Sequence, residues 1–239
     1  AVTNTYYLGL LEKSDDPKDR AARAAVGVIF PNQNGRGAHV NVSAAGIVKG
    51  AKNRPHAVAL LEFLTSSECR KLAGMIDMVA RPSTLYEGTY KDGFRTSYSG
   101  NFDSQDPMVK MISRRMDDAL GLPGKIGETM QGQRYLPGQQ FKDHHDYFYP
   151  SEDYWKQERK NGGQRSWTAM IYLNNVPAGG ATAFPTLGIR IAPKAGVLLL
   201  WNNAKPDGSP NVNTLHAGTP VESGAKYVIT RWYRTRKWG

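Results

Sequence analysis

The chain has 239 residues and a mass of 26.4 kDa, and 40% of its residues are hydrophobic, enough to build a sizeable core. No apolar run is long enough to cross a bilayer, and the single cysteine, Cys69, excludes an internal disulfide and a cysteine-rich zinc site. The net charge of +10 favours anionic partners such as nucleic acid, acidic peptides, anionic lipid or a carboxylate cosubstrate. Cations are dense only in RWYRTRKWG, and such a tail is more often a solvated end than a nucleic-acid patch.

The first half of the chain carries helix signals. An Asp-Pro start and an Ala-rich run predict a helix from Ser14 to about Val26. A second helix is predicted from Asn53, and a Thr65-x-x-Glu68 capping box predicts that a new helix starts there. A further helix is predicted from Asp106 to Gly121.

After about residue 130, helical periods give way to short strands between Gly/Pro turns. These strands are QRYL, QFKDHHDYF, RSWTAMIYLN, ATAF, IRIAP, GVLLLW and AKYVITRWY. Many short strands at this spacing predict an antiparallel sandwich or barrel. The chain is therefore predicted to be an α+β protein with helical support before a β half.

Two histidines and an aspartate form a candidate metal site. In a strand, His144 and Asp146 share one face and His145 points to the other. His216 would complete the two-histidine, one-carboxylate triad that holds Fe(II) and leaves positions open for substrate and O₂. For the His-x-Asp motif alone, a solvent-facing pair beside a surface carboxylate is the commoner explanation, and the same ligands also suit zinc with a bound water.

Lys226 is a candidate anion site. Period two places it on a face with Val228, Thr230 and Trp232, and a lysine buried there must find an anion or lose its proton. A dicarboxylate that chelates iron at one end and pairs with Lys226 at the other, as 2-oxoglutarate would, meets both demands. The strand pattern leaves open the opposite arrangement, with Lys226 in solvent.

Residues 62–239 resemble the prolyl 4-hydroxylase type of Fe(II)/2-oxoglutarate dioxygenase. The matching segments, in the family's order, are EFLTSSECRKL, GFRTSYSGNF, QRYLPGQQFKDHHDYF, QRSWTAMIYLNNVPAGGATAFP, KAGVLLLW and LHAGTPVESGAKYVITRW. The resemblance implies a double-stranded β-helix (jelly-roll) core with supporting N-terminal helices. It also implies hydroxylation of prolyl residues in peptides or proteins, using O₂ and 2-oxoglutarate, releasing succinate and CO₂, with ascorbate as reductant.

The resemblance also implies a role for each matching residue. The iron ligands would be His144, Asp146 and His216. The residues that bind 2-oxoglutarate would be Lys226, on its far carboxylate, and Tyr135, Thr182 and Trp232 around it. The residues near the peptide groove would be Arg95, Ser97, Glu128 and Arg165.

Two positions depart from the family pattern. Phe141 stands where tyrosine is common, and Arg234 stands where a histidine often follows the strand tryptophan. The second departure bears on the substrate groove and hence on substrate identity. Lys226, where other relatives use arginine, favours a peptidyl over a free proline substrate.

Residues 1–61 resemble instead a C-terminal lobe fragment of a periplasmic ferric-iron-binding protein. The matching segments are NTYYLGLL, VGVIFPNQNGRGAHVNVSAAGIVKGAKN and HAVALLEFLTS. In that family a Tyr-Tyr pair binds Fe(III), and Tyr6-Tyr7 occupies the matching position, but the other ligands belong to a lobe absent here. We expect no competent ferric site, and expect residues 1–61 to form helical and extended support for the domain at 62–239.

Three other functions remain open from the sequence: a 2-oxoglutarate oxygenase on a non-prolyl substrate, a non-enzymatic iron-binding module around Tyr6-Tyr7, and a nucleic-acid oxygenase. No base-reading or stacking motif supports the last, so nucleic acid is not an expected partner. The start of the chain has no basic segment before its apolar stretch, so neither a signal peptide nor a membrane partner is expected. A single thiol and a need for ferrous iron favour a cytoplasmic location.

Overall fold

In the computed structural model, residues 67–84, 93–205 and 207–239 are described in full. Of residues 54–66 the helical backbone is described, and before them only residue 17 and two short strands. The expectations for residues 1–61, including Tyr6-Tyr7, the first helix and the packing of this segment as support, therefore lie largely outside the described residues and stay predictions. None of the described helices is both long and apolar enough to cross a membrane.

The chain divides into two compact units. The first is Ala1–Leu64 with Arg114–Leu122, and the second is Thr65–Ser113 with Pro123–Gly239. The helices are α1 (Arg54–Val79), α2 (Pro107–Leu120) and α3 (Trp155–Glu158). The strands are β1 (Val2–Thr3), β2 (Ala44–Ala45), β3 (Arg81–Pro82), β4 (Tyr98–Asn101), β5 (Gln131–Tyr135), β6 (Phe141–His144), β7 (Arg165–Tyr172), β8 (Ala178–Gly179), β9 (Thr182–Phe184), β10 (Ile189–Ile191), β11 (Leu198–Asn202), β12 (His216–Gly218), β13 (Val221–Ser223) and β14 (Lys226–Arg234).

The helices follow the sequence signals with one exception. The Asp106 side chain caps α2, because its Oδ1 accepts hydrogen bonds from the backbone N–H of Met108 (2.7 Å) and Val109 (3.1 Å). The predicted break at Thr65 and Glu68 is wrong, since α1 runs through both. Residues 56–73 contain neither Gly nor Pro, so nothing there stops helix propagation.

Two antiparallel sheets of the second unit form the jelly-roll core. The six-stranded sheet has the order β11-β7-β14-β5-β4-β3, and the four-stranded sheet has the order β10-β9-β12-β6. A buried cluster joins side chains from both, including Tyr135, Tyr172 and Trp201 from the large sheet and Phe184 from the small one. The predicted β half is thus confirmed as a two-sheet structure.

β14 is the central strand of the large sheet, between β5 and β7. Every residue from Lys226 to Arg234 is buried except the half-buried Tyr227. The strand has no solvent face, so Lys226 is buried as one of the two arrangements requires, and the arrangement with Lys226 in solvent is wrong. Alternation could not choose between the two arrangements because both faces of a central strand can be covered.

Candidate active site

Three side chains converge at the small sheet. His144 Nε2 lies 4.0 Å from Asp146 Oδ1, and His216 Nε2 lies 3.8 Å from Asp146 Oδ2. The candidate ligand atoms of the three residues all lie within 4.8 Å of one another. These separations are too long for hydrogen bonds and suit atoms that surround one central ion.

The convergence comes from strand pairing and a bend. His144 and His216 are register partners across β6 and β12. The expectation that His144 and Asp146 share a face of one strand is wrong in its reason, because β6 ends at His144 and Asp146 lies in the bend that follows. The bend turns the Asp146 carboxylate back toward both imidazoles.

Backbone carbonyls orient both imidazole rings. His144 Nδ1 lies 2.7 Å from the carbonyl oxygen of Lys142, and His216 Nδ1 lies 2.9 Å from that of Thr214. An Nδ1–H that donates to a carbonyl leaves the Nε2 lone pair free as a metal ligand. Both rings therefore carry the tautomer that a metal site needs.

Hydrogen bonds from outside the three-residue cluster position the Asp146 carboxylate. The Thr168 hydroxyl donates to Asp146 Oδ2 (2.7 Å), and the Asn203 amide donates to that hydroxyl (2.8 Å). Burial raises the pKa of the Asp146 carboxyl, but His216 and His144 lower it, and the net pKa lies below the usual value. Burial and His216 together lower the pKa of His144 well below its usual value. Near neutral pH the site thus presents a carboxylate and a neutral imidazole, the forms that bind metal.

Aromatic rings enclose the two histidines. Phe141 stacks on His144, with ring centroids 3.5 Å apart and an interplanar angle of 13°. Trp201 and Phe184 pack against His216, with centroids 4.9 and 5.7 Å from it. The ring at position 141 therefore packs flat on a ligand, a contact that a phenylalanine makes without the tyrosine hydroxyl.

Lys226, with the rings of Tyr135 and Tyr172 around it, forms the second part of the site, which we call the lysine pole. Lys226 is 2% exposed, and no carboxylate of the described residues lies within ion-pair distance of its ammonium. Its Nζ lies 4.9 Å from the centroid of Tyr135 and 5.6 Å from that of Tyr172. Burial lowers the pKa of Lys226 to about 7. A buried lysine without an anion is the gap that a ligand carboxylate fills.

Gly218 lies beside Lys226 and places no side chain between it and Phe141. A Cβ there would lie 3.5 Å from Lys226 Nζ, 3.7 Å from Tyr135 and 3.8 Å from Phe141. Gly218 and His216 are two residues apart on β12, about 7 Å along a strand. A five-carbon dicarboxylate can therefore reach from the histidines to the lysine.

The other predicted cosubstrate residues divide into two places. Thr182 is buried beside the lysine pole, where its hydroxyl accepts a hydrogen bond from Tyr172 (2.5 Å). Tyr135 is the register partner of Lys226 and donates to Gln133 (2.9 Å). Trp232 is six residues along β14 from Lys226, about 20 Å, and is not brought beside it.

A groove with a volume of about 810 Å³ opens beside the triad. Its lining includes His144 and Asp146 together with three of the predicted groove residues, Arg95, Glu128 and Arg165. The fourth, Ser97, is buried away from the lining and accepts a hydrogen bond from Arg95 Nε (3.2 Å).

A buried ionic network forms one wall of this groove. Arg165 binds Glu128 through two hydrogen bonds (2.7 and 2.8 Å) and lies over the Trp232 ring, 4.1 Å from its centroid. Arg234 is 1% exposed and bridges two carboxylates: its Nε forms an ion pair with Glu128 (2.5 Å) and its Nη2 binds Glu158 (2.5 Å). Arg234 is thus committed to the wall rather than free to contact a substrate.

Sequence reasoning missed four residues: Thr168, Asn203, Tyr172 and Gly218. Thr168, Asn203 and Tyr172 act through partners distant in the chain, Gly218 acts through its lack of a side chain, and none has a local motif. Only the alternation in β7, which places Thr168 and Tyr172 on one face, gave any signal.

The fold and the site define a class. A family model described as the 2OG-Fe(II) oxygenase superfamily matches residues 130–234, which contain all three candidate ligands and Lys226. The chain is 32% identical to prolyl 4-hydroxylase 5 of Arabidopsis thaliana over 207 residues, covering 77% of this chain and 69% of that protein. It is also 32% identical to a putative prolyl 4-hydroxylase of Acanthamoeba polyphaga mimivirus over 186 residues, covering 77% and 76%.

A solved structure agrees with these sequence matches. The viral collagen prolyl hydroxylase of Paramecium Bursaria Chlorella virus-1, solved with 2-oxoglutarate, superposes with a TM-score of 0.56 and 29% identity, over 71% of this chain and 90% of that one. The chain belongs to the prolyl 4-hydroxylase family. It is an Fe(II)- and 2-oxoglutarate-dependent dioxygenase, and its donor set of two imidazoles and one carboxylate fits Fe(II).

Proposed function

We propose that this enzyme hydroxylates prolyl residues in peptides or proteins and converts 2-oxoglutarate to succinate and CO₂. One observation carries the cosubstrate assignment: Lys226 is buried with no carboxylate of the described residues in ion-pair distance, and it lies beside Gly218, two residues along β12 from the ligand candidate His216. The prolyl specificity is supported by the names of the relatives and by the groove of about 810 Å³ beside the triad.

The residues of the site have three proposed roles: binding metal, binding 2-oxoglutarate and binding the peptide. His144, Asp146 and His216 would hold Fe(II), which when bound supplies the oxidative chemistry with O₂ and 2-oxoglutarate. Lys226 would fix the far carboxylate of 2-oxoglutarate, with Tyr135 beside it. The rings around the histidines exclude water from the reacting centre, and the groove holds the peptide beside it.

The test is a mass-spectrometric oxygen-transfer assay. The protein, Fe(II), 2-oxoglutarate and a panel of proline-containing peptides should yield succinate and a one-oxygen mass gain on a peptide. His144→Ala should lose both products and the metal. The matched variant His145→Ala should keep the metal, because His145 bonds to the Tyr149 hydroxyl (2.8 Å) and lies outside the ligand cluster.

Other outcomes contradict specific parts of the proposal. Succinate with no peptide gain would reject the prolyl substrate and retain the oxygenase. A hydrolysed peptide formed without 2-oxoglutarate would favour zinc-type hydrolysis by the same ligands.

We also propose ascorbate as the reductant and the cytoplasm as the location. The support for the cytoplasm is a chain with one cysteine, which is buried, and a ferrous cofactor. Turnover that does not depend on ascorbate, or recovery of the protein in a secreted or periplasmic fraction, would reject each in turn.

A further inference from the structure

Five exposed cations lie on segments that reach the groove at Asn161 and Trp238. They come from three separate segments of the second unit and are Lys125, Arg159, Lys160, Arg236 and Lys237. We call this set the basic rim. The tail RWYRTRKWG, whose cations the sequence alone leaves as a solvated end, supplies two of the five.

Hydrogen bonds bring the three segments together. The Trp238 backbone N–H donates to the carbonyl of Lys125 (3.1 Å), and the Arg236 N–H donates to that of Gly162 (3.0 Å). The Arg236 guanidinium also donates to the carbonyl of Arg159. The fold thus fixes the three segments that carry these cations next to one another.

No carboxylate of the described residues lies within ion-pair distance of any of the five. Nearby acidic groups are otherwise engaged: Asp153 pairs with Lys156 (3.0 Å), and Glu158 is buried against Arg234. The rim therefore presents a field of one sign, which attracts anionic groups from solution.

The rim is continuous with the groove. Asn161, next to Lys160, and Trp238, next to Lys237, both line the same groove as His144 and Asp146. A chain lying in the groove with its reactive residue at the triad would pass close to these cations. This continuity favours a polypeptide over nucleic acid or a lipid surface.

We infer that the basic rim binds acidic side chains of the substrate polypeptide, so that the enzyme selects prolyl residues flanked by Asp or Glu. This inference rests on the proposed function and names the substrate class of the same site. Exposed pairs are individually weak and screened by salt, so the selection acts through several charges together and falls at high ionic strength.

The test starts from a peptide that the enzyme hydroxylates. Three versions of this peptide, with Glu, Gln or Lys on either side of the proline, are compared. At low salt the Glu version should have a KM about five- to twenty-fold below the Gln version, and 0.5 M salt should remove the difference. The triple variant Lys125→Gln, Lys160→Gln, Lys237→Gln should lose this preference and keep its kcat on the Gln peptide. The described residues include no side-chain partner of these lysines, so the fold should tolerate the change.

The matched control removes the same charge elsewhere. Arg190→Gln, Lys194→Gln, Lys205→Gln neutralises three exposed cations outside the groove lining and should keep the preference. A preference that survives in the rim variant, or is equally lost in the control, overturns the inference. Rim-dependent binding of DNA or of anionic vesicles without any peptide preference would also overturn it.

Failure of the proposed function has a different signature. Fluorescence anisotropy with labelled peptides measures binding to the basic rim without turnover. Binding is rim-dependent if the triple lysine variant loses it. Rim-dependent binding of the Glu peptide without hydroxylation would retain the acidic partner and reject the prolyl chemistry. Hydroxylation without rim-dependent binding would do the reverse.

Discussion

His144 and His216 lie directly opposite each other across β6 and β12, with ring centroids 4.2 Å apart. Two of the three proposed metal ligands are therefore a cross-strand pair, and their spacing is set by the pairing of the sheet. A slip of one residue in this register would turn one imidazole to the other face. The only ligand not fixed by pairing is Asp146, which depends on side-chain support from β7.

That support gives a first prediction. Thr168→Val removes the hydroxyl that donates to Asp146 and leaves the Asn203 amide without its acceptor. Metal affinity should fall about 10- to 100-fold, as when outer-shell partners of metal ligands are lost. Titration with Mn(II), followed by electron paramagnetic resonance, measures it. Thr168→Ser keeps the hydroxyl and should bind nearly as well; equal affinity in the Val and Ser variants would contradict the role.

A second prediction concerns pH and Lys226. Without cosubstrate its pKa is lowered by burial to about 7, so the ammonium is present below pH 7 and is lost as the pH rises through it. Because the dicarboxylate needs the charged form, its affinity should fall up to about tenfold per pH unit above 7. Calorimetric titration of 2-oxoglutarate into Mn(II)-loaded protein between pH 6.5 and 8.5 measures the slope.

Lys226→Arg is the control for this slope. A guanidinium stays charged throughout that range, so binding to this variant should be nearly independent of pH. Parallel slopes in the two proteins would mean that another group, such as a ligand to the metal, controls the pH dependence.

A third prediction concerns Gly218, which has no side chain beside Lys226. Gly218→Ala should raise the KM for 2-oxoglutarate at least about tenfold with metal binding unchanged, because the new methyl group would lie 3.5 Å from Lys226 Nζ, where the far carboxylate would pair. The added Cβ makes only ordinary contacts with protein atoms, so the fold should survive. Gly74→Ala, in α1 with nothing near its Cβ, should leave both constants unchanged.

The Arg234–Glu158 pair gives a fourth prediction. Glu158→Gln weakens the contact that ties α3 to the end of β14 and leaves a buried guanidinium partly uncompensated. Stability should fall by about 3 kcal/mol, since breaking a buried ion pair from one side is strongly destabilising. Urea unfolding measures the loss, and hydrogen exchange should rise in residues 149–163. Glu152→Gln, an exposed neighbour, should change neither.

Local patterns predicted the elements but not their assembly. The strands after residue 130 and the cap at Asp106 follow from alternation and capping, which act over a few residues. The spacing of His144 and Asp146 suggested a shared strand face, whereas a bend joins them. The three residues therefore meet as predicted, but for a different geometric reason.

The ionic network in the groove wall could not be predicted from the sequence, for a different reason. Glu128, Glu158, Arg165 and Arg234 meet only after the large sheet forms, and no spacing in the chain records this meeting. The sequence marked Arg234 as a departure from the family pattern at the groove. Its burial between two carboxylates depends on Glu158 and Glu128, which precede it in the chain by 76 and 106 positions. Such long-range contacts depend on tertiary packing rather than local propensity.

The position of β14 also bears on synthesis. In chain order it follows all the other strands, yet in the sheet it lies between β5 and β7. Until it is made, each of those strands presents an unpaired edge to solvent or to a neighbouring nascent chain, and such edges template aggregation. Ribosome-bound intermediates that lack residues 226–234 should therefore need chaperone protection, and the lysine pole and the groove wall should form together as the last strand inserts.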